Sequence, residues 1–315
     1  MSSLKDIIEA RKNVYRYLNP TPLYNYPTLD ELTGTTTWIK HENHLPVGSF
    51  KVRGGLNLAA NLTENEKRNG LYTASTGNHG QSIAYAARAY GIKATIAVPE
   101  QANPGKVAAM RGMGAEVLHH GSDFDEARSW VERVSQEHGG KFVSPTDELL
   151  IHGVGTYALE IIEELPTVDT VIVPVGAGSG VCATGIVMKA INKEIEIIAV
   201  QSAQAPAMQL SWKSGKLIEA EMHTFAEGVA TRVPFENTQK IMREHVDDFI
   251  LVDDTEIRLA IKAMMEHTHN LVEEAAAIPL AAALNIKEHL YGKNVVLIAS
   301  GGNISMNNIK AVVQT

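Results

Sequence analysis

The sequence contains a single cysteine, Cys182, among its 315 residues. One cysteine excludes an intramolecular disulfide, so we expect the chain to work in a reducing compartment. No apolar run is long enough to cross a bilayer, and residues 1–18 lack the unbroken apolar centre of a signal peptide. These absences predict a cytoplasmic protein with no membrane partner.

Basic residues are in deficit, with 28 Lys and Arg against 36 Asp and Glu, which gives a formal net charge of -8. No cluster of basic residues offsets this charge, so a nucleic-acid partner is not expected. The content of 44% hydrophobic and 20% charged residues is typical of a globular fold. The length suits one large domain or two medium ones.

The usual motifs of metal sites and hydrolases are also missing. His41 with His44, and His267 with His269, have short spacings, but no convincing further ligands accompany them. No Gly-x-Ser-x-Gly motif is present. Cys182 follows a glycine loop and is expected to pack rather than to react. We therefore predict no metal ion.

Short apolar segments alternate with helical ones from about residue 70 onward. The predicted strands before residue 147 are GLYTAS, KATIAVP, AEVLHH and KFVSP, and those after it are VDTVIVPV, EIEIIAVQ and NVVLIAS. Apolar strands that each precede a helix predict parallel sheets covered on both faces. We expect two α/β units with a boundary near residue 147.

Lys51 stands among small and apolar neighbours in the segment GSFKVRGG. A lysine at the start of a helix usually extends into solvent. Partial burial would instead lower the pKa of its amine, and a neutral amine forms a Schiff base with an aldehyde. The residues alone leave both interpretations open.

The segment VPVGAGSG follows a predicted strand and leads into a helix. Gly176, Gly178 and Gly180 leave backbone amides bare at a helix N-terminus, which is an arrangement that binds phosphate. A dinucleotide site fits less well, because its third glycine would fall at Val181 and the next strand ends at Gln201 rather than at an acid. A plain tight turn is the remaining alternative.

Two further segments also end predicted strands, where open α/β sheets hold their ligands. In ASTGNHG, amides and hydroxyls can bind a carboxylate or can cap a helix. In LIASGGN, the hydroxyl of Ser300 can hold a ring nitrogen, although in isolation a strand-to-turn junction is the better-supported interpretation of these residues.

These motifs, in this order and together with LNPTPLY and GTYALEI, resemble the fold type II enzymes of pyridoxal phosphate. The closest likeness is to the threonine/serine dehydratase and serine racemase family, and it covers nearly the whole chain. It implies two open, twisted parallel-sheet domains of the tryptophan synthase β-like architecture. The large, cofactor-binding domain would comprise residues 1–66 and 148–315, and the small, substrate-loop domain residues 67–147. Homodimers are usual in this family.

The resemblance also assigns roles to residues. By this resemblance, Lys51 matches the lysine that forms the Schiff base with the cofactor, and Phe50 would pack beside the cofactor ring. Asn78 matches the asparagine that binds the phenolic oxygen, and Ser300 the serine that faces the pyridine nitrogen. The phosphate cradle would be Gly176, Ala177, Gly178, Ser179 and Gly180. The substrate carboxylate would be bound by Ser75, Thr76, Gly77 and His79.

The implied activity is β-elimination from L-threonine, L-serine or a related β-hydroxy amino acid, giving a 2-oxo acid and ammonia. Lys51 would remove the α-proton. A neutral Ser300 would hold no proton on the ring nitrogen, which favours elimination over transamination. The chain ends soon after ASGGN, so we expect no regulatory domain.

Alternatives remain within the same scaffold. Thr76 stands where racemases of the family place a serine, so racemisation ranks below elimination. Gln201 and Ala207 stand where cation-binding relatives would place acidic ligands, so no metal is expected there. A β-replacing transferase similar to cysteine synthase, and a binding protein without catalytic activity, are further alternatives.

Overall fold

The structure is a computed structural model, and it describes residues 2–314. Its strands are β1 (Leu23–Asn25), β2 (Thr36–His41), β3 (Leu71–Ala74), β4 (Ala94–Val98), β5 (Glu116–His119), β6 (Lys141–Phe142), β7 (Thr170–Pro174), β8 (Glu196–Ser202), β9 (Asp248–Val252) and β10 (Asn294–Ala299). They form two separate sheets, which matches the two α/β units expected from the sequence.

The α-helices account for most of the remaining chain. They are α1 (Leu4–Val14), α2 (Pro27–Thr33), α3 (Lys51–Ala60), α4 (Glu64–Asn69), α5 (Asn78–Tyr90), α6 (Pro104–Gly112), α7 (Phe124–Glu137), α8 (Glu148–Val154), α9 (Thr156–Glu164), α10 (Ser179–Ile191), α11 (Ala207–Ser214), α12 (Glu236–His245), α13 (Asp254–Thr268), α14 (Glu274–Asn285), α15 (Lys287–Leu290) and α16 (Met306–Gln314). Within residues 2–314, none of these helices combines the length and apolar character needed to cross a membrane.

The first sheet has six strands in the order β1-β2-β10-β7-β8-β9. Its strands from β2 to β9 pair in parallel, as predicted for strands that alternate with helices. Strand β1 is an exception, because it pairs antiparallel with β2. Only the short helix α2 separates these two strands, and so short a connection permits the antiparallel arrangement.

Helix α14 lies in the centre of the core of this first unit. Its residues Ala275–Ala277 and Ala281–Ala283 are buried, and the helix packs against β7, β8, β9 and β10. Because alanine side chains are small, α14 lies close to the strands of the sheet. Helix α13 packs beside α14 and begins with the capping pair of Asp253 and Glu256, as predicted from the sequence.

The second sheet has four parallel strands in the order β5-β4-β3-β6. Tyr72 and Ala74 of β3 belong to the hydrophobic cluster with α7, whereas Thr73 contacts His79 of α5. Alternate residues of a strand point to opposite faces, so helices α7 and α5 cover the two faces of this sheet. Helix α3 packs against α5 and α8 at glycines.

The chain forms two compact units. The first contains Pro20–Phe50 and the chain from Tyr157 onward, and the second contains Asp6–Asn19 and Lys51–Thr156. The second unit includes all of residues 67–147, the segment predicted as the small domain, and extends beyond it at both ends. It is larger because α3 packs against both α5 and α8.

Candidate active site

The chain segment before Lys51 is paired with the end of strand β10. The amide of Phe50 donates to the carbonyl of Ser300 at 3.1 Å, and the amide of Gly302 donates to Gly48 at 2.9 Å. Ser49 and Gly301 form an antiparallel bridge between these bonds. The first unit therefore brings two of the motifs together, although they lie near opposite ends of the sequence.

Ser300 lies at the carboxyl end of β10 and is 3% exposed. Its hydroxyl makes no hydrogen bond to any other residue in the described range 2–314. Its oxygen is not one of the fully enclosed polar atoms that lack a partner among residues 2–314, so it keeps some access to its surroundings. The hydroxyl is therefore available to an acceptor from outside the chain, such as the nitrogen of a pyridine ring.

The glycine loop 176–180 leads from β7 into α10, and its last two residues are the first two of that helix. Gly178 has a φ of +101° and its Cβ would lie 2.9 Å from Cβ of Thr238, so only glycine fits there without strain. A Cβ on Gly176 would lie only 2.4 Å from the carbonyl oxygen of Gly228. Thr238 also donates a 2.8 Å hydrogen bond to the carbonyl of Ala177. Packing thus fixes the conformation of this loop.

The amides of this loop fit an anion. Those of Gly176, Ala177 and Gly178 donate to no acceptor among residues 2–314. They precede the first turn of α10, where the helix dipole is positive and the backbone amides have no partners within the helix. A phosphate group matches this cradle. With the open hydroxyl of Ser300, the residues of the first unit fit pyridoxal phosphate.

The aromatic ring of Phe50 lies beside the same loop. It is edge-on to Tyr157, with the ring centroids 6.1 Å apart and the planes at 82°. A Cβ on Gly180 would be 3.5 Å from the Phe50 ring, which is an ordinary contact distance. The hydroxyl of Tyr157 lies 3.0 Å from the carbonyl of Gly180. Phe50 and the helix that follows the loop are therefore held by one buried tyrosine.

Lys51 is the first residue of α3, and it is half-buried rather than fully exposed. The hydroxyl of Ser82, in α5, donates a 2.6 Å hydrogen bond to the backbone carbonyl of Lys51. Gly55 of α3 lies directly against Ser82, since a Cβ on Gly55 would be 2.5 Å from its hydroxyl oxygen. This close contact fixes the start of α3 to α5 within the second unit.

The substrate-loop motif lies between β3 and α5 of the second unit. The hydroxyl of Ser75 accepts a hydrogen bond of 3.2 Å from the amide of Gly77 and so shapes the turn. Thr76 is half-buried, and its hydroxyl has no hydrogen-bond partner among residues 2–314. Asn78 begins α5. The open hydroxyl of Thr76 suits contact with a ligand.

His79 is buried, and its ring points to Thr73 and to the carbonyl of Val143. Burial, and after it the nearby positive charge of Lys51, lower the pKa of its imidazole to about 4. The imidazole is therefore neutral at physiological pH. Its Nε2 atom is engaged within the protein.

Several residues around these motifs were not identified from the sequence. Tyr157 lies inside the GTYALEI segment, so the family resemblance pointed to its part of the chain but not to the residue itself. Glu273 is buried, its amide donates to the carbonyl of Gly301 at 3.0 Å, and its carboxylate fills the space where a side chain on Gly301 would lie. Thr238 and Thr73 stand in segments without a recognisable motif, and only the tertiary structure shows their contacts.

Gln201 is fully buried at the position where cation-binding relatives would carry an acid. Its amide oxygen accepts a 3.3 Å bond from the amide of Gln209, and its nitrogen donates to the carbonyl of Val229 at 3.4 Å. Within residues 2–314, no group of three or more His, Cys, Asp or Glu side chains is placed to hold a metal ion. Both hydrogen bonds of the Gln201 side chain are to other residues of the same chain.

Comparisons with known proteins identify the family. The sequence pattern of the pyridoxal-phosphate dependent enzymes matches residues 14–301. The chain is 38% identical to an L-threonine ammonia-lyase of Thermotoga maritima, over 99% of this chain and 78% of that protein.

Solved structures agree with this assignment. The processed form of threonine deaminase isoform 2 from Solanum lycopersicum superposes with a TM-score of 0.93 at 31% identity, over 99% of this chain and 94% of the other. Maize serine racemase gives a TM-score of 0.93 at 31% identity, over 99% and 97%. The predicted fold is thereby confirmed. The chain belongs to the family of pyridoxal-phosphate-dependent enzymes, and pyridoxal phosphate is its cofactor.

Proposed function

We propose that the protein is an ammonia-lyase that acts on L-threonine, L-serine or a related β-hydroxy amino acid. The observation that carries this proposal is the 38% identity with an L-threonine ammonia-lyase over 99% of this chain. The neutral hydroxyl of Ser300, buried and without a protein partner among residues 2–314, supports it.

The family resemblance assigns each cofactor contact to a residue of this chain. The aldehyde carbon would be held by Lys51, the phosphate by residues 176–180, the phenolic oxygen by Asn78, the pyridine nitrogen by Ser300 and the ring by Phe50. When bound, pyridoxal phosphate supplies a conjugated ring that accepts negative charge from the substrate α-carbon. A serine hydroxyl is a neutral partner and holds no proton on the ring nitrogen, which favours rapid loss of the β-hydroxyl over transamination.

The protein residues supply binding and proton transfer. Ser75, Thr76, Gly77 and His79 bind the substrate carboxylate, and the open hydroxyl of Thr76 is the donor that supports this role. His79 contributes through its backbone, because its Nε2 atom is engaged with Thr73 and Val143. The amine of Lys51 takes the α-proton.

The reaction balances without an external oxidant. The Cα–H and Cβ–O bonds break, the proton and the hydroxyl leave as water, and an enamine forms. Hydrolysis of the enamine consumes one water and releases ammonia. L-Threonine therefore gives 2-oxobutanoate and ammonia, and L-serine gives pyruvate and ammonia.

We also propose that the enzyme is a cytoplasmic homodimer. The single cysteine, buried in the first unit, supports a reducing compartment, and the family resemblance supports the dimer. Light scattering on the purified enzyme should give the mass of two chains, and the mass of one chain would exclude the dimer.

The test is an oxo-acid assay of the cofactor-loaded enzyme over a panel of β-hydroxy amino acids. Lactate dehydrogenase and NADH report the 2-oxo acid, and glutamate dehydrogenase reports the ammonia. We expect equal amounts of both products from L-threonine or L-serine. An enzyme that binds the cofactor but leaves threonine, serine, hydroxyaspartate and phenylserine unchanged would contradict the proposal.

Amino-acid racemisation is the second candidate. Similarity to maize serine racemase favours it, as does the hydroxyl of Thr76, which has no partner among residues 2–314 and can donate a proton. Incubation in deuterated water separates the two activities. Deuterium with inverted configuration in the recovered amino acid indicates racemisation, and oxo acid without inversion excludes it. Product that depends on added sulfide would instead indicate a β-replacing transferase.

A further inference from the structure

Three polar atoms meet behind the substrate loop, within the second unit. The hydroxyl of Thr73 lies 2.8 Å from the carbonyl oxygen of Val143 and 3.0 Å from Nε2 of His79. The same Nε2 lies 3.3 Å from the Val143 oxygen. Thr73 is fully buried, and His79 is only 8% exposed. Water is therefore a poor competitor for these hydrogen bonds.

The three distances determine which nitrogen of His79 carries a hydrogen. The Val143 carbonyl only accepts, so the single hydroxyl hydrogen of Thr73 points to it. The Thr73 oxygen can then only accept from His79, and Nε2 must be protonated. In the opposite tautomer, a lone pair on Nε2 of His79 would face a lone pair on the carbonyl oxygen of Val143, 3.3 Å away. Burial and the charge of Lys51 keep the ring neutral, so Nδ1 carries no hydrogen.

This bond closes the base of the substrate loop. Thr73 lies in β3, one residue before the strand ends, and His79 is the second residue of α5. Residues 75–77 form the loop between these two anchors. Val143 directly follows β6, so the ring also ties the start of α5 to the neighbouring strand. The bond therefore joins the two chain segments from which the loop emerges.

We infer that Thr73 and His79 are positioning residues, which hold the loop 75–77 in the conformation that binds the substrate carboxylate. This inference rests on the proposed function of the loop. It changes the role of the His79 side chain from a direct ligand of the substrate to a support behind the loop. Lys51 is the charged group that acts on His79, and a neutral ring leaves the Lys51 amine without a repelling cation beside it.

The kinetic test replaces Thr73 with valine, which has the same shape but no hydroxyl. We expect T73V to raise KM for L-threonine by about fivefold to tenfold, since one buried hydrogen bond is lost. The rescue variant T73S keeps the hydroxyl and should stay within about twofold of the natural enzyme. T95V is the matched control, because Thr95 is also buried in this sheet, and its hydroxyl bonds to Glu116 rather than to the loop.

The spectroscopic test uses the cofactor-loaded natural enzyme with ¹⁵N-labelled histidine rings, and H79N identifies the His79 signals. We expect a neutral ring with hydrogen on Nε2 from pH 5 to pH 8. Hydrogen on Nδ1, or titration near pH 6.5, would overturn the inference even if T73V fails to fold. A T73V enzyme with unchanged KM would also overturn it. If the natural enzyme converts no β-hydroxy amino acid, the proposed function fails, while the spectrum still decides the tautomer.

Discussion

The backbone amide of Phe50 donates a 3.1 Å hydrogen bond to the carbonyl of Ser300. Together with the bridge between Ser49 and Gly301, this bond fixes residues 48–50, which precede Lys51 in the sequence, to the strand end that carries the open hydroxyl. Both partners lie in the first unit, where they belong to the paired segments 48–50 and 300–302.

Replacement of Ser300 tests the neutral partner of the ring nitrogen. S300A removes the hydroxyl, and we expect the Kd for pyridoxal phosphate to rise about fivefold to tenfold, as for the loss of one hydrogen bond. S300D supplies a carboxylate, which holds a proton on the ring nitrogen. We expect S300D to eliminate more slowly and to transaminate more. Unchanged rates and affinity in both variants would exclude contact with the cofactor.

The glycine loop offers a matched pair of substitutions. G178A places a side chain at a φ of +101° and against Thr238, so we expect a cost of roughly 1–3 kcal/mol and a clear loss of cofactor affinity. G180A meets the Phe50 ring only at ordinary contact distance and should be much milder. Equilibrium dialysis with pyridoxal phosphate and thermal melts measure both effects. Equal losses in the two variants would show that the loop geometry is not the cause.

Two buried histidines make stability depend on pH. Burial lowers the pKa of His79 and of His41 to about 4, with the charge of Lys51 and of His44, respectively, acting in the same direction. In the unfolded chain both titrate near pH 6.5. Between about pH 6.5 and pH 4 the unfolded chain binds protons that the native protein does not, so stability falls as the pH falls.

Each histidine contributes on the order of 3 kcal/mol to this loss once the pH is below about 4. Urea unfolding at pH 7 and at pH 4.5 measures it as a lower midpoint at acid pH. H41N and H79N should each reduce the difference between the two midpoints. H223N is the control, because His223 is exposed. A pH dependence that persists in the double variant would assign the effect to other groups.

Removal of divalent cations tests the buried amide at position 201. Its oxygen and nitrogen are hydrogen-bonded to Gln209 and Val229, so the segment is held without a cation. We expect dialysis against EDTA to leave kcat, KM and the melting temperature unchanged. A loss of activity that Mg²⁺ or Ca²⁺ restores would reveal a cation site that the side chains do not indicate.

The sequence was sufficient to predict the parallel sheets and the strand-end loops, because apolar strands that alternate with helices leave a strong pattern. It did not show β1, β2 or β9. The segment Thr36–His41 carries Lys40 and His41, which are buried with partners that only the fold supplies. Lys40 is paired at 2.6 Å with Glu160, far away in the sequence. Because a charged residue such as Lys40 interrupts the apolar pattern of the segment, the sequence did not indicate a buried strand there.

The residues that support the site could not be identified from the sequence either. Thr73 is one of several threonines in strands, and nothing near it in sequence shows that its hydroxyl meets His79. Thr238 contacts Ala177 and Gly178 only because α12 packs against α10. Motifs identify residues that meet a ligand, whereas the residues that hold those motifs in place are chosen by packing.

The central claim is that Lys51 carries the cofactor. The most direct measurement is borohydride reduction of the cofactor-loaded enzyme, followed by mass spectrometry of its peptides. We predict one phosphopyridoxyl group per chain on Lys51, and no labelled peptide and no oxo-acid production in K51A. Stable labelling of a different lysine, or full lyase activity in K51A, would contradict the account.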